Sequence, residues 1–547
     1  MKTFRWQFAL LCALVSLVAA PALFAKEPAA GKDLHFSLRY RQETAPRSQR
    51  YHLRTRTETW KPSQTAIIVC DMWDLHHCKN ATLRGAELAP RMNRVLKEAR
   101  KRGVTIIHAP SSCMAAYKDH AARKHALATP KAKNLPKDIG TWCHRIPAEE
   151  KGTYPIDQTD GGEDDDPGEH KAWAAKLKAM GRNPRAPWKK QTDLLDIADA
   201  DYITDNGVEN WSILEAHGIK NVILLGVHTN MCVLGRPFGL RQMAKNGKNV
   251  VLMRDMTDTM YNPLKKPFVS HFTGTDLIVE HIEKFVCPTV TSDQLLGGKP
   301  FRFKNDKRPR LVFVISEKEY RTNETLPKFA VANLGKHFSL EFIHGNLKNH
   351  TLPGVIDALR DADVLFLSVR RQTPKRAELA AIRKFIASGK PVIGIRTSSH
   401  AFCLKNGSSK PFANGHAAWP ELDAEVWGGH YTGHHGGKFK PTVTVADSAE
   451  SHPILHGVNP AKFTCGGSLY QVRPLAKTTQ ALLIGRIAGH PAEPVAWTNK
   501  PKTGNRTFYT SLGYISDFDS PDFNGFLRNA VYWAAGVKVS DRVPPGF

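Results

Sequence analysis

The sequence predicts an α/β protein made of two three-layer α/β/α domains with mainly parallel sheets. Three observations predict it. At 547 residues the chain exceeds what one hydrophobic core organises. Short apolar, β-branched runs alternate with helical periodicities in two separate series, the pattern of parallel strands joined by crossover helices. Between the series lies a Gly-, Pro- and charge-rich stretch, residues 299–308, which marks a linker.

In chain order, Lys2 and Arg5 precede an apolar run from Phe8 to Ala20, and small residues follow at Ala20, Ala22 and Ala25. This is the pattern of a signal peptide over residues 1–25, so a secreted or periplasmic protein is expected. Residues 26–61 form an N-terminal extension in which Leu34–Tyr40 and Tyr51–Thr57 alternate apolar and polar side chains, as two strands would. The first domain is expected over residues 62–298. Its strands are Thr65–Cys70, Val104–Ile107, Ile219–Leu225 and Asn249–Met253, with a helix over Ala89–Arg102. An acidic run, Asp160–Gly168, reads as a solvated loop or a lid. The second domain is expected over residues 309–540. Its strands are Arg310–Ile315, Ser339–Ile343, Val364–Leu367 and Pro391–Gly394, and helix formers fill Lys375–Ile386.

The most informative run is Leu224 to Arg236, reading Leu-Leu-Gly-Val-His-Thr-Asn-Met-Cys-Val-Leu-Gly-Arg. It places Cys232 in the turn between an apolar strand and a predicted helix over Gly235–Lys245. Unpaired N–H groups at a helix start favour a thiolate and an oxyanion, so the position suits a nucleophile. A buried structural cysteine is the other reading. Asp71 ends the strand Thr65–Cys70 in the run Thr-Ala-Ile-Ile-Val-Cys-Asp-Met-Trp. These two runs resemble the isochorismatase-like cysteine hydrolases, and the resemblance covers about Pro62 to Gly298. It implies Cys232 as nucleophile and Asp71 as base. It also implies a non-proline cis peptide at Val227–His228 and an oxyanion hole from the backbone N–H groups of His228 and Cys232.

The family's third catalytic residue is a lysine, and here the pattern departs: Asp205 stands at that position. Lys189, Lys190 and Lys118 are the remaining candidates. Asp74 and His76 have the Asp-x-His form that nicotinamidases use for a metal, but lie too close to Asp71. They read as pocket wall or substrate contact, so no metal and no cofactor are expected. His108, Asp255 and Asp258 follow strands and either line the same pocket or serve as structural partners.

In the second domain, Asp363-Val-Leu-Phe-Leu, Gly389–Arg396, Pro494–Trp497, Ser511–Tyr514 and Val531–Gly536 resemble the trehalose-utilisation (ThuA-like) domains, relatives of class I glutamine amidotransferases. The resemblance implies a flavodoxin- or amidotransferase-like fold. Amidotransferases carry a cysteine where this chain has Arg396, and their histidine maps near Tyr514, so that chemistry is not available. A sheet-end pocket holding a carbohydrate-related ligand is expected instead, with Arg396, His400, His430, His434 and Tyr514 around it and Trp427 nearby. An ordinary glycine-rich surface loop is the alternative for the histidines.

The net charge is +26 and the basic residues are spread along the chain, so a basic solvated surface is expected and no nucleic-acid module. Eight cysteines follow the signal with no CxxC spacing, which indicates neither zinc ribbon nor disulfide scaffold. The combined expectation is a secreted hydrolase of an amide or similar C–N bond in a small-molecule substrate, fused to a non-catalytic ligand-holding module. The alternative is a two-domain ligand-binding protein without turnover. Self-association into a homo-oligomer is implied by family analogy alone.

Overall fold

The structure is a computed structural model and describes residues 33–538; the signal peptide expected over residues 1–25 lies outside the described residues. The molecule has two α/β domains, each built on an eight-stranded sheet that is mostly parallel.

In the first sheet the strands are β1 (Leu34–Glu43), β2 (Tyr51–Trp60), β3 (Thr65–Cys70), β4 (Thr105–Ala109), β5 (Tyr202–Ile203), β6 (Asn221–Val227), β7 (Asn249–Asp258) and β8 (Thr289–Val290). Their order is β2-β1-β8-β7-β6-β3-β4-β5. Strands β3 to β8 run parallel, and the hairpin β1–β2 joins antiparallel through Arg39 opposite Thr289. β3 and β6 are buried along their whole length, as a central parallel strand must be. Among the helices that flank this sheet are α1 (Lys79–Arg102) and α2 (His271–Phe285). The apolar stripe of α1 (Leu88, Met92, Val95, Leu96, Ala99) packs on β3 and β6 through Ile67, Val69, Ile223 and Leu225. The chain leaves β3 first toward β4 and later places β6 on the other side. The carboxyl ends of β3 and β6 are therefore a switch point, where open α/β sheets leave a crevice for ligands.

In the second sheet the strands are β9 (Arg310–Ser316), β10 (Ser339–His344), β11 (Val364–Val369), β12 (Val392–Ile395), β13 (Thr442–Val445), β14 (Thr479–Arg486), β15 (Glu493–Asn499) and β16 (Thr507–Thr510), in the order β10-β9-β11-β12-β16-β15-β14-β13. The first five positions are parallel and the last three strands antiparallel. Helices α3 (Arg376–Ala387) and α4 (Pro521–Ala535) cover opposite faces. A second switch point lies at the ends of β9 and β11.

The N-terminal hairpin also ties the domains together. Arg41 on β1 donates to Glu283 of α2 (3.3 Å) and to Glu341 of β10 (2.7 Å), and Arg39 reaches Glu283 at 2.7 Å. All these carboxylates are sealed from solvent. A charge pair removed from water holds only when it is well hydrogen-bonded; both Glu283 oxygens and Glu341 Oε1 are, and Glu341 Oε2 faces Arg39 and Arg310 at 3.6 and 3.8 Å. The His52 ring bonds to the His344 carbonyl oxygen (2.8 Å) and Gly354 lies flat on Leu53, which closes the same joint.

The helix expected over Gly235–Lys245 is different in the structure. A π-turn spans Thr229–Val233, the chain bends through residues 236–239, and regular helix begins only at Leu240. Pro237 explains the break, because a proline disfavours the helical conformation of the residue before it, here Arg236. All eight described cysteines are free and buried.

Candidate active site

Asp71 leaves β3 in the left-handed region, with φ of 46°. It is fully buried. Its Oδ1 accepts the Ser111 N–H at 2.8 Å, and its Oδ2 accepts the Arg236 Nε–H at 3.1 Å. Across the switch point β6 ends in a cis peptide at Val227–His228. The turn that follows is pinned to β7 and beyond. The Thr229 hydroxyl bonds to Thr257 (2.7 Å) and the Asp258 carbonyl (2.9 Å), and the Asn230 amide exchanges two bonds with the Met260 backbone (2.8 and 2.9 Å). This fixes Cys232, 8% exposed, with its thiol in hydrogen-bonding contact with both Asp71 and Arg236.

Arg236 is the cation that sequence reasoning missed. It stands one turn beyond the cysteine, its N–H donating to the Cys232 carbonyl (3.0 Å). Its guanidinium lies on the Trp142 ring at 5.1 Å and points back to Asp71. Gly235 permits this approach, since a Cβ there would stand 2.5 Å from Trp142. Two signals were available: an arginine four positions after the cysteine, and the proline that turns the chain at it.

The lysine candidates are corrected by this geometry. The Lys118 side chain is 80% exposed beside Asp119, Lys190 donates to both Asp193 oxygens at 2.7 Å, and Lys189 is exposed. None of the three bonds to Asp71 or Cys232. Changing Lys118, Lys189 and Lys190 together to alanine is expected to leave the rate of Cys232 alkylation by iodoacetamide within about twofold, because only screened surface charge is removed. Mass-spectrometric mapping of the labelled thiol measures that rate. Asp205 is engaged elsewhere, accepting the Ser112 N–H at 2.8 Å. Asp71 and Asp205 thus hold consecutive N–H groups of the turn that leaves β4.

Electrostatics set the resting state. Burial, then the Asp71 charge, pushes the Cys232 thiol well above its ordinary pKa, and Arg236 opposes this only in part. The expectation of a resting thiolate is therefore corrected: desolvation outweighs the turn's N–H groups and the thiol stays protonated. Burial also raises the Asp71 pKa, against Arg236 and its hydrogen bonds, and makes it a stronger base than a surface carboxylate. The Arg236 charge survives its burial because Asp71 stands beside it.

The wall of this crevice is aromatic. Trp73 and Trp188 stack at 4.4 Å, and His76 stacks on both at about 6 Å. His228 meets His76 edge-on at 4.8 Å, and burial pushes the His228 pKa down to about 4. His76 belongs to that wall. Asp74 does not pair with it, since it holds Arg182 (2.9 Å) and the Lys189 N–H (3.1 Å). His108 is turned into a sealed network with Gln191 and Asp201. Asp258 is locked to Arg84 and His271, and Asp255 binds Ser292 and the Phe301 N–H. These three are structural partners and not crevice lining. The acidic run is stapled down as well. Asp164 pairs with Arg84 (2.7 Å), and Asp165 caps α1 through the N–H groups of Lys79 and Asn80. Among the described residues Cys78, Asp164 and Asp165 have metal-ligand spacing, but those capping bonds already occupy Asp165.

In the second domain Arg396 follows β12 at φ 49°, the position of the amidotransferase cysteine, and is 2% exposed. Its guanidinium lies between the Tyr320 and Tyr470 rings, 4.5 Å from each. Tyr514 contacts Tyr320 (5.8 Å), His400 stacks near Tyr431 (4.5 Å), and His434 lies 6.4 Å from Tyr470. His430 is corrected: its side chain is 65% exposed and bonds to Asp423 at 3.1 Å, which holds it outside this cluster. Trp427 is buried in the core, its indole N–H on the Ser398 carbonyl. Tyr320 and Tyr431 come from separate loops and Tyr470 from a short strand, Tyr470–Gln471, paired with Gly433–His434; none carried a motif that pointed to this cluster.

The geometry is that of an α/β protein with cysteine, aspartate and arginine converging at one sheet end, joined to a second sheet whose matching position holds an arginine. Residues 311–534 match the family described as Trehalose utilisation (ThuA). No curated protein matches the chain. Among solved structures, the chain is similar to a protein described as ThuA-like from Bacteroides uniformis ATCC 8492, with 19% identity and a TM-score of 0.31 over 43% of this chain and 95% of that one. It is also similar to a cysteine hydrolase from Pseudomonas syringae pv. phaseolicola 1448A, with 16% identity and a TM-score of 0.26 over 43% of this chain and 92% of that one. A third, N-carbamoylsarcosine amidase from Thermoplasma acidophilum, gives 14% identity and a TM-score of 0.21 over 37% and 87%.

Proposed function

We propose that the first domain is a cysteine hydrolase of amide or similar C–N bonds in which Arg236 supplies the charge that a lysine supplies in isochorismatase-like enzymes. The observation that carries this reading is the single contact set of the Cys232 thiol with Asp71 and Arg236. In this reading Asp71 accepts the thiol proton as the sulfur attacks the substrate carbonyl. The backbone N–H groups of His228 and Cys232 receive the developing oxyanion. Asp71 then returns the proton to the leaving nitrogen, and the C–N bond breaks to leave a thioester on Cys232. Water, deprotonated by Asp71, attacks the thioester; the acid departs and the sulfur takes back its proton. Arg236 holds the charges of Asp71 and of the transient thiolate together. The second domain holds a carbohydrate-related ligand and performs no chemistry, and the protein acts after export.

A binding protein without turnover is the second reading. The protonated, 8% exposed thiol favours it. One experiment separates the two. The full chain is incubated with a panel of primary amides and carbamoyl compounds, and Cys232 is followed by intact-mass and peptide mapping. Turnover that Cys232→Ala abolishes, with an acyl adduct trapped on Cys232, supports the hydrolase. Iodoacetamide reactivity no greater than that of buried Cys287, with no turnover, supports the binding protein.

A further inference from the structure

The charge arrangement at the end of the second sheet is incomplete. Arg396 is buried, yet no carboxylate of the described residues lies within ion-pair distance of it. Its Nη1 donates to the carbonyls of Ser468 (3.1 Å) and Ser511, and its Nη2 to the Ser468 hydroxyl (3.3 Å). Its Nε is sealed from solvent and bonded to nothing among the described residues. Tyrosine faces and carbonyl dipoles soften the penalty of burying a guanidinium, but a purely structural arginine is ordinarily matched by a carboxylate.

The neighbouring strand repeats the pattern. Arg371 follows β11, also in the left-handed region at φ 50°, and its side chain donates to the Leu404 carbonyl (3.1 Å). Arg370 beside it is neutralised by Glu319, whereas Arg371 has no carboxylate partner among the described residues. Two adjacent strands thus each end in an arginine forced into a sparsely allowed conformation, which is where chains store strain for binding. Three more buried polar atoms at the ends of β9, β11 and β12 have no partner among the described residues: Ser316 Oγ, Gln372 Oε1 and Thr397 Oγ1. Such atoms are rare in a finished core and call for a ligand or water. Tyr431 packs against Tyr470 (4.7 Å) and His400 (4.5 Å), within reach of the Arg371 and Arg396 charges, so an aromatic ring adjoins the unmatched charge.

We infer that the crevice at the carboxyl ends of β9, β11 and β12 binds a sugar carrying a carboxylate. Arg371 lies against the anion, Arg396 adds charge from behind its tyrosines, and Tyr431 packs on the ring. This rests on the reading of the second domain as a carbohydrate-ligand module and adds the ligand's charge. Consistent with it, burial and then the charges of Arg371, Arg370 and Arg396 push the His400 pKa down to about 3, so this ring stays a neutral hydrogen-bonding partner.

Titration calorimetry on the full chain with glucuronate, glucose and glucose 6-phosphate tests the inference. Glucuronate is expected to bind at least about tenfold more tightly than glucose, the worth of one charged hydrogen-bonded contact. Arg371→Gln is expected to erase that difference. In the wild-type chain, raising salt from about 20 to about 200 mM is expected to weaken glucuronate and leave glucose unchanged; this arm stands even where the variant fails to fold. Equal binding of glucose and glucuronate would overturn the charge assignment and keep the sugar module. Tighter binding of glucose 6-phosphate than of glucuronate would overturn the carboxylate. No binding of any of the three would overturn the inference and the module reading together.

Discussion

Arg236→Met is expected to slow alkylation of Cys232 by iodoacetamide at neutral pH by about tenfold to a thousandfold. An opposite charge within contact distance lowers an acid's pKa by roughly one to three units, so its loss raises the thiol further by a similar amount. Alkylation follows the thiolate fraction, and each unit is a factor of about ten. Cys232 starts from a pKa already lifted by burial, so the whole rate-against-pH curve moves to higher pH. Turnover falls by more than alkylation, because Asp71 loses its partner at the same time. With Arg236 gone, the Asp71 carboxylate remains fully buried and retains only the Ser111 N–H and the Cys232 thiol. Breaking a buried pair costs about 3–5 kcal/mol when both partners are sealed; here the cost is smaller because the Arg236 side chain is 25% exposed. Its pH dependence has a defined sign. The folded-state pKa of Asp71 is raised above the unfolded value, so the native state binds the extra proton and stability falls as pH rises through that range. The methionine variant therefore loses least in acid and most at neutral pH and above, which urea melts at several pH values measure. Arg236→Lys restores the charge but not the fork that reaches both Asp71 and Cys232, and recovers only part of the rate. An unchanged alkylation rate in Arg236→Met removes Arg236 from the site.

The two sheets and the ends of β3 and β6 were legible because buried parallel strands are written as continuous apolar runs: Thr65–Cys70 and Asn221–Val227 stand out from their surroundings. Asp71 was legible because it directly follows such a run, and Cys232 because it sits in the turn that follows the other. Arg236 was not, because a cation is recognised by what it touches, and its partner Asp71 lies 165 positions away in sequence. The family spacing also points to a lysine upstream, whereas Pro237 turns a nearer arginine toward the site. The protonated state of Cys232 was hidden for another reason. A turn's N–H groups can be inferred from local sequence, but the desolvation that outweighs them comes from packing contributed by the whole domain. In the second domain Arg396 was legible through its position after β12. Tyr320, Tyr431 and Tyr470 gather beside it from other strands and loops, and only the folded sheet brings them together.

Gly226→Ala is expected to be the most destabilising single-methyl change in the first domain, at about 3–5 kcal/mol. Gly226 pairs with Cys70 across β3 and β6 at φ 109°, a conformation that side-chain-bearing residues rarely adopt. A Cβ there would stand 2.0 Å from the Cys70 carbonyl oxygen and 2.8 Å from its nitrogen. Both are backbone atoms of a central strand and cannot rotate away. The register of β6 on β7 also shifts between Leu224 and Gly226, so this point sets how the strand delivers the turn that carries Cys232. Relief of the clash requires β3 and β6 to separate just before Asp71 and just before the cysteine turn, so the lesion disrupts the contact of Cys232 with Asp71 as well as stability. Gly218→Ala is the matched control. It too has positive φ, at 59°, but a Cβ there meets nothing within 4 Å, so it carries only the backbone penalty of roughly 1–2 kcal/mol. Urea denaturation of the two variants separates conformation from close approach. A Gly226→Ala curve that overlays that of Gly218→Ala would mean that the strands carrying Asp71 and Cys232 are not held as tightly as their geometry indicates, and a loose pair of strands cannot keep a buried thiol within reach of its base.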